Sequence, residues 1–389
     1  MARIAKFEIF CVDLPFRKPF KHAAAERKSS SSLFVKCVTD AGRAGFGECL
    51  PREYVTGESR EGAFELLRGS LLPRLLGAEF NSMREVLAFL EECDGKAPAD
   101  WVDADRPQNA AWCAVDLALL DTFGRAFKEP VRLADRNTFP DSVRYSPVIS
   151  ADRGVNYIKT MLKIRLFGIL QVKLKVGKEI DAQAVRRARR VLGKRCDIRV
   201  DANMAWSVDE ALKAMRELSA FGVRSFEQPV AAGDVDGLAR LVRETGLGVM
   251  ADESLSDRAS LERLIEKRAC TAVNVRISKC GGLVAACNRC REALEAGLVV
   301  QAGCQVGESS LLSAAHMALV TAVGKVTYAE GCFGLLLLRE DPFEPVLQFG
   351  YGGRRPGFSP GPGLGVAVNE EVLRRWTVQR ELIPGLPKG

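Results

Sequence analysis

From about residue 143 onward, apolar runs of strand length alternate with amphipathic segments of helical period. The runs predict eight strands, at Val143–Ile149, Gln171–Val176, Asp197–Ala202, Ser225–Val230, Gly248–Asp252, Ala272–Ile277, Leu298–Ala302 and Val326–Glu330. Helical patterns lie between them, for example at Asp181–Leu192, Val208–Phe221 and Gly282–Ala296. This alternation predicts an α/β fold, a (β/α)8-type barrel. A doubly wound sheet is disfavoured because no Gly-rich phosphate loop follows the early strands.

The residues before the barrel have a different pattern, which predicts an α+β unit. Ile4–Leu14 alternates as a strand, and Ser32–Thr39 with Ala44–Cys49 predicts a hairpin. Helical periods follow at about 59–77, 82–94 and 107–127. After residue 340, Gly and Pro are frequent until Val366–Val378 regains a strand-then-helix pattern. We therefore predict domains at 1–130 and 131–340, with 341–389 returning to the first domain.

Composition and charge restrict the function classes. The 389 residues are 47% hydrophobic and 27% charged, as in an ordinary globular enzyme, and the net charge is +7. Basic residues are scattered, and the run Arg186–Arg190 is interpreted as a solvated helix face, so no nucleic-acid partner is predicted. No apolar run is long enough for a membrane span or a signal peptide, and membrane binding is therefore not predicted.

The 12 cysteines are scattered through apolar segments, which favours buried free thiols in a reducing compartment. Cys287 and Cys290 form a lone CxxC within a helical pattern, and no second pair or histidine follows at ligand spacing. The sequence therefore predicts a cytoplasmic protein without zinc.

Charged residues end or closely follow five of the predicted barrel strands. They recur 25 to 27 residues apart, at Lys175, Asp201, Glu227, Asp252 and Lys279. That interval is the length of one βα unit, and catalytic groups of a barrel lie at the C-terminal ends of its strands. The spacing predicts one site that contains three carboxylates and two lysines.

The residue types indicate a metal site with basic groups beside it. Three carboxylates brought together need a cation, and oxygen ligands suit Mg²⁺, with Mn²⁺ as an alternative. Lys173 and Lys175 alternate within one strand, so both are expected on the inward face. Lys279 follows the sixth strand, opposite the second, so Lys175 and Lys279 could approach one substrate carbon from two faces.

Five motifs in this order resemble the enolase superfamily, in its muconate-lactonizing (muconate cycloisomerase) subgroup. They are Lys173-Leu174-Lys175, Asp201-Ala202-Asn203, Glu227-Gln228-Pro229, Ala251-Asp252-Glu253-Ser254 and Ser278-Lys279-Cys280-Gly281-Gly282. The resemblance covers nearly the whole chain and implies that the first domain caps the barrel.

The resemblance also implies roles for individual residues. Asp201, Glu227 and Asp252 would bind Mg²⁺, and Lys175 and Lys279 would be the acid/base pair. Lys173 would stabilise the substrate carboxylate or keep the pKa of Lys175 low, and Asn203 and Glu253 would support the site. The expected reaction is an isomerisation, either a racemisation or epimerisation or a cycloisomerisation. It starts by removing a proton α to the carboxylate of a small molecule and passes through an enolate. A homo-oligomer is also expected.

Capping loops are expected to select the substrate. The candidates are His22 within the predicted loop Pro19–Ser32, and Arg52 and Tyr54 within Pro51–Gly57. Glu308 and Glu330 lie in segments that should shape the pocket. The Asp-x-Asp of dipeptide epimerases is replaced here by Glu330-Gly331-Cys332, which argues against an Ala-Glu epimerase.

Three other interpretations compete with a lysine-based isomerase. The histidine-based mandelate racemase subgroup is disfavoured because only His22 and His316 are present, the latter within a helical pattern. A lyase similar to o-succinylbenzoate synthase would need only one lysine to move protons. A non-catalytic ligand-binding barrel is the remaining class.

Overall fold

A computed structural model describes residues 1–22, 25–134, 138–152, 154–178 and 182–385. Its first part contains six strands: β1 Ala2–Val12, β2 Pro15–His22, β3 Ala25–Ser29, β4 Ser32–Thr39, β5 Ala44–Cys49 and β6 Glu79–Phe80. The helices here are α1 Glu53–Thr56, α2 Arg60–Leu66, α3 Leu72–Leu75, α4 Met83–Cys93 and α5 Asn109–Phe127. A π-helical turn, Leu67–Leu71, joins α2 to α3.

The second part alternates strands and helices. Its strands are β7 Val148–Ser150, β8 Gln171–Lys175, β9 Asp197–Asp201, β10 Ser225–Glu227, β11 Gly248–Ala251, β12 Ala272–Arg276, β13 Val299–Gly303 and β14 Tyr328–Ala329. Its helices are α6 Val155–Leu166, α7 Ala182–Leu192, α8 Val208–Ser219, α9 Val235–Thr245, α10 Arg258–Glu266, α11 Leu283–Glu295 and α12 Ser310–Val323. The chain ends with β15 Phe343–Glu344, β16 Ala367–Val368, α13 Glu370–Trp376 and β17 Thr377–Ile383.

Strands β7 to β14 form one parallel sheet in sequence order, which confirms the predicted barrel architecture. The first strand begins at Val148, later than predicted. Tyr145, in the segment before it, makes a parallel bridge with Ala329 of β14, so the sheet closes on itself. Helices cover the outside, where Val172 and Leu174 of β8, which alternate with Lys173 and Lys175, are fully buried.

The C-terminal segment completes the N-terminal sheet, as predicted. Strand β17 pairs antiparallel with β1, and the sheet order is β17-β1-β4-β5 with β6 also on β1. Helix α5 packs on β5 so closely that a Cβ at Gly47 would overlap the backbone of Ala114. The hairpin of β4 and β5 is the predicted one.

All twelve cysteines are free thiols, and eleven of them are buried, as the sequence indicated. Cys287 and Cys290 lie within α11, with both side chains packed in the core. Within the described ranges, no helix is sufficiently long and apolar to cross a membrane.

Candidate active site

The charged residues that recur along the chain come together at one end of the barrel. Strand register places Lys175 beside Asp201, and Asp201 beside Glu227, at the last positions of β8, β9 and β10. Asp252 directly follows β11, and Lys279 follows β12 in the next loop. Since parallel strands end on the same side of a barrel, these residues share its C-terminal face.

Lys173 lies at the centre of a buried ion network inside the barrel. Its Nζ is 3.0 Å from Glu227 Oε1, 2.7 Å from Glu330 Oε2 and 3.5 Å from Asp201 Oδ2. Burial alone would lower the pKa of Lys173, but these carboxylates raise it overall. Lys173 therefore stays protonated inside the barrel.

Glu227 receives hydrogen bonds from three directions. Besides Lys173, Asn274 Nδ2 donates to its Oε1 at 2.9 Å and Gln301 Nε2 to its Oε2 at 3.2 Å. Burial opposes ionisation, but Lys173 and Arg276 outweigh it and lower the pKa of Glu227 to about 2. The carboxylate is therefore ionised at neutral pH despite complete burial.

Asn203 links Lys175 to Glu253 through two hydrogen bonds. Lys175 Nζ donates to Asn203 Oδ1 at 2.7 Å and lies 3.7 Å from Asp201 Oδ2. Asn203 Nδ2 donates to Glu253 Oε1 at 3.2 Å, and burial raises the pKa of Glu253 to about 7. The lysine side chain is 15% exposed, whereas Lys173 is almost fully enclosed.

Lys279 is completely buried against Asp252. Its Nζ donates to Asp252 Oδ1 at 2.7 Å, to the Asp252 carbonyl and to the Asn274 carbonyl at 2.8 Å. Burial, followed by the charge of Arg276, lowers the pKa of Lys279 to about 7. An amine of that pKa can accept a proton near neutral pH.

Arg276, the last residue of β12, is an additional member of the site that the sequence reasoning missed. Its Nη2 contacts Asp252 Oδ2 and lies 3.9 Å from Glu227 Oε1, and its Nη1 donates to Gln305 Oε1 at 3.2 Å. The alternation Asn274-Val275-Arg276 could have found it, because the same period-two argument placed Lys173 and Lys175 inside.

Gln228 braces the loop that carries Asp252. Its Oε1 accepts hydrogen bonds from Asp252 N at 2.9 Å and Ser254 N at 3.1 Å, and its Nε2 donates to Ser254 Oγ at 2.8 Å. Gln228 and Asn203 both have left-handed backbone, with φ of 36° and 44°. Such strained residues concentrate at functional sites, where surrounding contacts hold them in place.

The donor chemistry of the three carboxylates fits a hard divalent cation. Asp201, Glu227 and Asp252 are at most 1% exposed, and Asp201 Oδ2 has no hydrogen-bond partner among the described residues. Lys173, Arg276 and Lys279 contact these carboxylates, and in the described part of the chain no three His, Cys, Asp or Glu side chains form a ready metal cluster. A metal ion bound to Asp252 would compete with Arg276 and Lys279 for its oxygens.

A cavity of about 250 Å³ opens onto one side of this site. Lys173, Lys175, Arg276 and Glu330 line its charged side. Its other wall is apolar and comes mainly from the strand ends and the irregular segment after β14, at Val148, Ile149, Val306, Phe333, Leu336, Leu337 and Phe349. The cavity thus offers cations to a carboxylate and an apolar surface to the remainder of a small molecule.

Of the five residues predicted to select substrate, Glu330 lines this cavity. It is bound by Lys173 and, at 3.1 Å from its Oε1, by Arg199 Nη1. Glu308 accepts a hydrogen bond from Gln305 N at 2.5 Å and does not line the cavity. Both carboxylates are thus engaged by protein groups.

Two of the capping candidates, Arg52 and Tyr54, lie outside the lining of the cavity. Arg52 is buried and donates to the Pro51 and Ser30 carbonyls, so it holds two capping segments together. Tyr54 lies in α1 and is 38% exposed. His22 ends β2, and its side chain lies outside the described part of the structure.

The segment Pro19–Ser32 contains the antiparallel strands β2 and β3 instead of the expected loop. It is anchored near the barrel mouth, because Phe16 bridges to Leu338 and Arg17 N donates to the Leu337 carbonyl at 2.8 Å. Strand pairing satisfies backbone groups that a loop would leave to water.

His316 has a structural position away from the lysines. It is buried in α12, with Nε2 3.0 Å from the Ala302 carbonyl and Nδ1 3.2 Å from Tyr145 Oη. These partners match a neutral ring that donates from Nε2 and accepts at Nδ1. Burial lowers the pKa of His316 to about 4.

We expect the buried His316 to destabilise the fold on acidification. Because its folded-state pKa lies below the unfolded value, its contribution is complete above pH 6.5 and is lost as pH falls towards 4. Between pH 7 and 4.5, wild type should lose about 2–3 kcal/mol more unfolding free energy than His316→Gln, whose amide can keep both hydrogen bonds. Urea denaturation at the two pH values measures this, and equal losses would contradict it.

Comparison with known proteins assigns the family. The family model described as mandelate racemase / muconate lactonizing enzyme, N-terminal domain, matches residues 4–133. The model described as enolase C-terminal domain-like matches residues 158–372. Together they span both the antiparallel sheet and the barrel that carries the site.

Individual relatives extend over almost the whole chain. An N-succinyl-L-Arg/Lys racemase of Bacillus cereus is 28% identical and covers 98% of this chain and 100% of its own; its crystal structure superposes with a TM-score of 0.87. A chloromuconate cycloisomerase of Cupriavidus pinatubonensis is 28% identical, covering 94% of this chain and 96% of its own. A dipeptide epimerase from Cytophaga hutchinsonii, solved with Mg and D-Ala-L-Val, is 23% identical with a TM-score of 0.84 over 98% of this chain and all of its own, and shares the fold. The chain therefore belongs to the mandelate racemase/muconate lactonizing enzyme family of the enolase superfamily, a family of racemases, epimerases and cycloisomerases.

Proposed function

We propose that this protein is a Mg²⁺-dependent isomerase that removes the proton α to the carboxylate of a small molecule. One observation supports this most directly: a lysine at the end of the second barrel strand and one in the loop after the sixth both contact carboxylates that end or follow the strands between them. A divalent cation held by Asp201, Glu227 and Asp252 would acidify the α-proton by stabilising negative charge on the substrate carboxylate. The reaction would then pass through an enolate.

The electrostatics favour different roles for the three lysines. Lys279, with its pKa lowered to about 7, suits a base that takes the α-proton. Lys175 lines the cavity and is the second acid/base, returning a proton on the other face. Lys173 has a raised pKa, so it would remain protonated and stabilise negative charge that develops on the substrate.

Asn203 and Glu253 would support this arrangement. The amide of Asn203 joins Lys175 to Glu253 through two hydrogen bonds, which fixes the direction of the lysine amine. Aligning the amine with the α-carbon in this way reduces the entropy lost on reaching the transition state.

The apolar wall of the cavity bears on the choice of substrate. Glu330 is already bound by two protein cations, so it leaves no free carboxylate to hold a substrate ammonium group. We therefore favour carboxylates whose remainder is apolar or acylated, and the name of the N-succinyl-L-Arg/Lys racemase relative indicates an N-acylated substrate.

Exchange of the α-proton in deuterated water tests the proposal. With Mg²⁺, we expect NMR to detect exchange in at least one class among N-acyl amino acids, dipeptides and muconolactones. EDTA should abolish the exchange and added Mg²⁺ should restore it, because the carboxylates alone cannot stabilise an enolate. Absence of exchange across the whole library with Mg²⁺ or Mn²⁺ would overturn the proposal. Loss of water without exchange would instead identify a lyase similar to o-succinylbenzoate synthase.

A further inference from the structure

A strongly basic cavity lies at the opposite end of the barrel from the lysines. Its volume is about 790 Å³, and its basic lining residues are Arg186, Arg189, Arg190, Lys194, Arg195 and Arg224. The lining also includes Asp197 and Tyr328, the first residues of β9 and β14, so the cavity faces the N-terminal ends of the strands. It therefore does not overlap the candidate active site.

The positive charge of this cavity is not neutralised by nearby carboxylates. Five of the six basic residues are exposed, and none of the six forms a salt bridge with any carboxylate that the structure describes. Asp197, the acidic residue of the lining, accepts a hydrogen bond from Tyr328 Oη at 2.8 Å. Six cations in one concave surface create a positive potential that attracts anions.

Arg189 gives the cavity a fixed frame. Its guanidinium donates to the carbonyls of Phe221 at 2.8 Å, Gly193 at 2.9 Å and Gly222 at 3.3 Å, and also to that of Cys196. By binding these carbonyls, Arg189 holds the loop after α7 against the loop after α8. Carbonyl acceptors satisfy the guanidinium without cancelling its charge, so the pre-ordered surface remains cationic.

Stabilisation of a helix terminus does not explain why the basic residues of this cavity lie together. Arg189 and Arg190 lie in the last turn of α7, where cations interact favourably with the helix dipole. Lys194, Arg195 and Arg224 lie beyond that helix, on two further segments, and the dipole effect is confined to the terminal turn. A shared anionic ligand explains why all three segments place cations around one cavity.

We propose that this basic cavity binds a small molecule that carries two or more phosphate groups. The planar fork of arginine matches phosphate oxygens in paired hydrogen bonds, and several arginines suit a multivalent anion better than a single carboxylate. The volume lies in the range of small-molecule sites, and the concave shape between three segments differs from the extended stripe that a nucleic-acid duplex needs.

Calorimetric titration of the full chain with pyrophosphate and, separately, with ATP tests this site. The buffer contains EDTA, so that binding through a divalent cation at the active site is excluded. Arg190→Gln combined with Arg195→Gln should weaken pyrophosphate binding by about tenfold or more, because the two substitutions remove two cationic hydrogen-bond donors to the phosphate oxygens. Arg263→Gln, an exposed arginine in α10 outside the lining, is the matched control and should bind as wild type does. Affinity should also fall as NaCl is raised.

The possible outcomes separate the sources of phosphate and the competing ligands. Equal affinity for pyrophosphate and ATP means that the phosphates alone are recognised, whereas tighter ATP binding adds a contact to the nucleoside; both support the proposal. Binding of RNA without binding of pyrophosphate would overturn it in favour of a nucleic-acid surface. Undetectable binding of both probes, or equal loss in the control variant, would also overturn it.

Discussion

Replacing Lys279 by methionine is expected to lower the rate of α-proton exchange from one substrate enantiomer by about 10²–10⁴-fold, and with it interconversion of the enantiomers. Methionine keeps the length and packing of the buried side chain but cannot accept a proton. Asp252 is not left without a cation in this variant, because Arg276 contacts it when no metal is bound and Mg²⁺ would neutralise it in the assay. Exchange is measured by NMR for each pure enantiomer in deuterated water.

Replacing each lysine should stop exchange from a different enantiomer. If they act on opposite faces, Lys175→Met should abolish exchange from the enantiomer that Lys279→Met still exchanges. Lys213→Met, at an exposed position of α8, controls for general effects of the substitution and should leave both rates unchanged. Equal residual exchange of both enantiomers in Lys279→Met would remove Lys279 from the acid/base role.

The pH profile supplies a second measurement on the same group. In wild type, kcat/KM for the enantiomer deprotonated by Lys279 should rise as pH increases through about 7, because the lysine must lose its proton to act as a base. A lysine with its ordinary pKa would give a rise only near pH 10. The Lys279→Met variant should lack this step.

Periodicity explains why much of the barrel and its charged ring could be predicted. A βα unit has a nearly constant length, so residues at strand ends recur at a fixed interval, as Lys175, Asp201 and Glu227 do. Alternation within a strand placed Lys173 inside for a similarly simple reason. The same reasoning applied to β9 and β12 would have found Arg199 and Arg276, which are also buried and directed inward.

The wall of the cavity could not be predicted in the same way. Phe333 and Leu337 lie in an irregular segment after β14, which has no period to show which side chains face the site. The capping candidate Arg52 also shows what spacing along the chain does not reveal: its guanidinium donates to the carbonyl groups of Pro51 and Ser30. Contacts between distant loops determine both outcomes.

Asp201→Asn is expected to weaken Mg²⁺ binding by at least about a hundredfold, and to abolish exchange at Mg²⁺ concentrations that support wild type. Loss of supporting groups around a metal already costs 10–100-fold, and Asp201 is itself proposed as a ligand. The substitution is structurally conservative, because the amide oxygen can still accept the hydrogen bond from Asn203 N that Oδ1 accepts at 3.0 Å. Calorimetric titration with Mg²⁺ measures the affinity, and Asp105→Asn, at an exposed position, is the control.

Thermal unfolding with and without Mg²⁺ distinguishes a ligand from a counter-ion. Asp201 Oδ2 lies 3.5 Å from Lys173 and 3.7 Å from Lys175, so the carboxylate could serve only to neutralise the lysines. In that case Asp201→Asn would lower the Tm without metal, while Mg²⁺ would still raise the Tm of the variant as much as it raises that of wild type. If Asp201 is a metal ligand, Mg²⁺ should raise the Tm of wild type but not that of the variant. A bound cation adds RT ln(1 + [Mg²⁺]/Kd) to the free energy of unfolding, and this gain disappears when Kd rises above the concentration used.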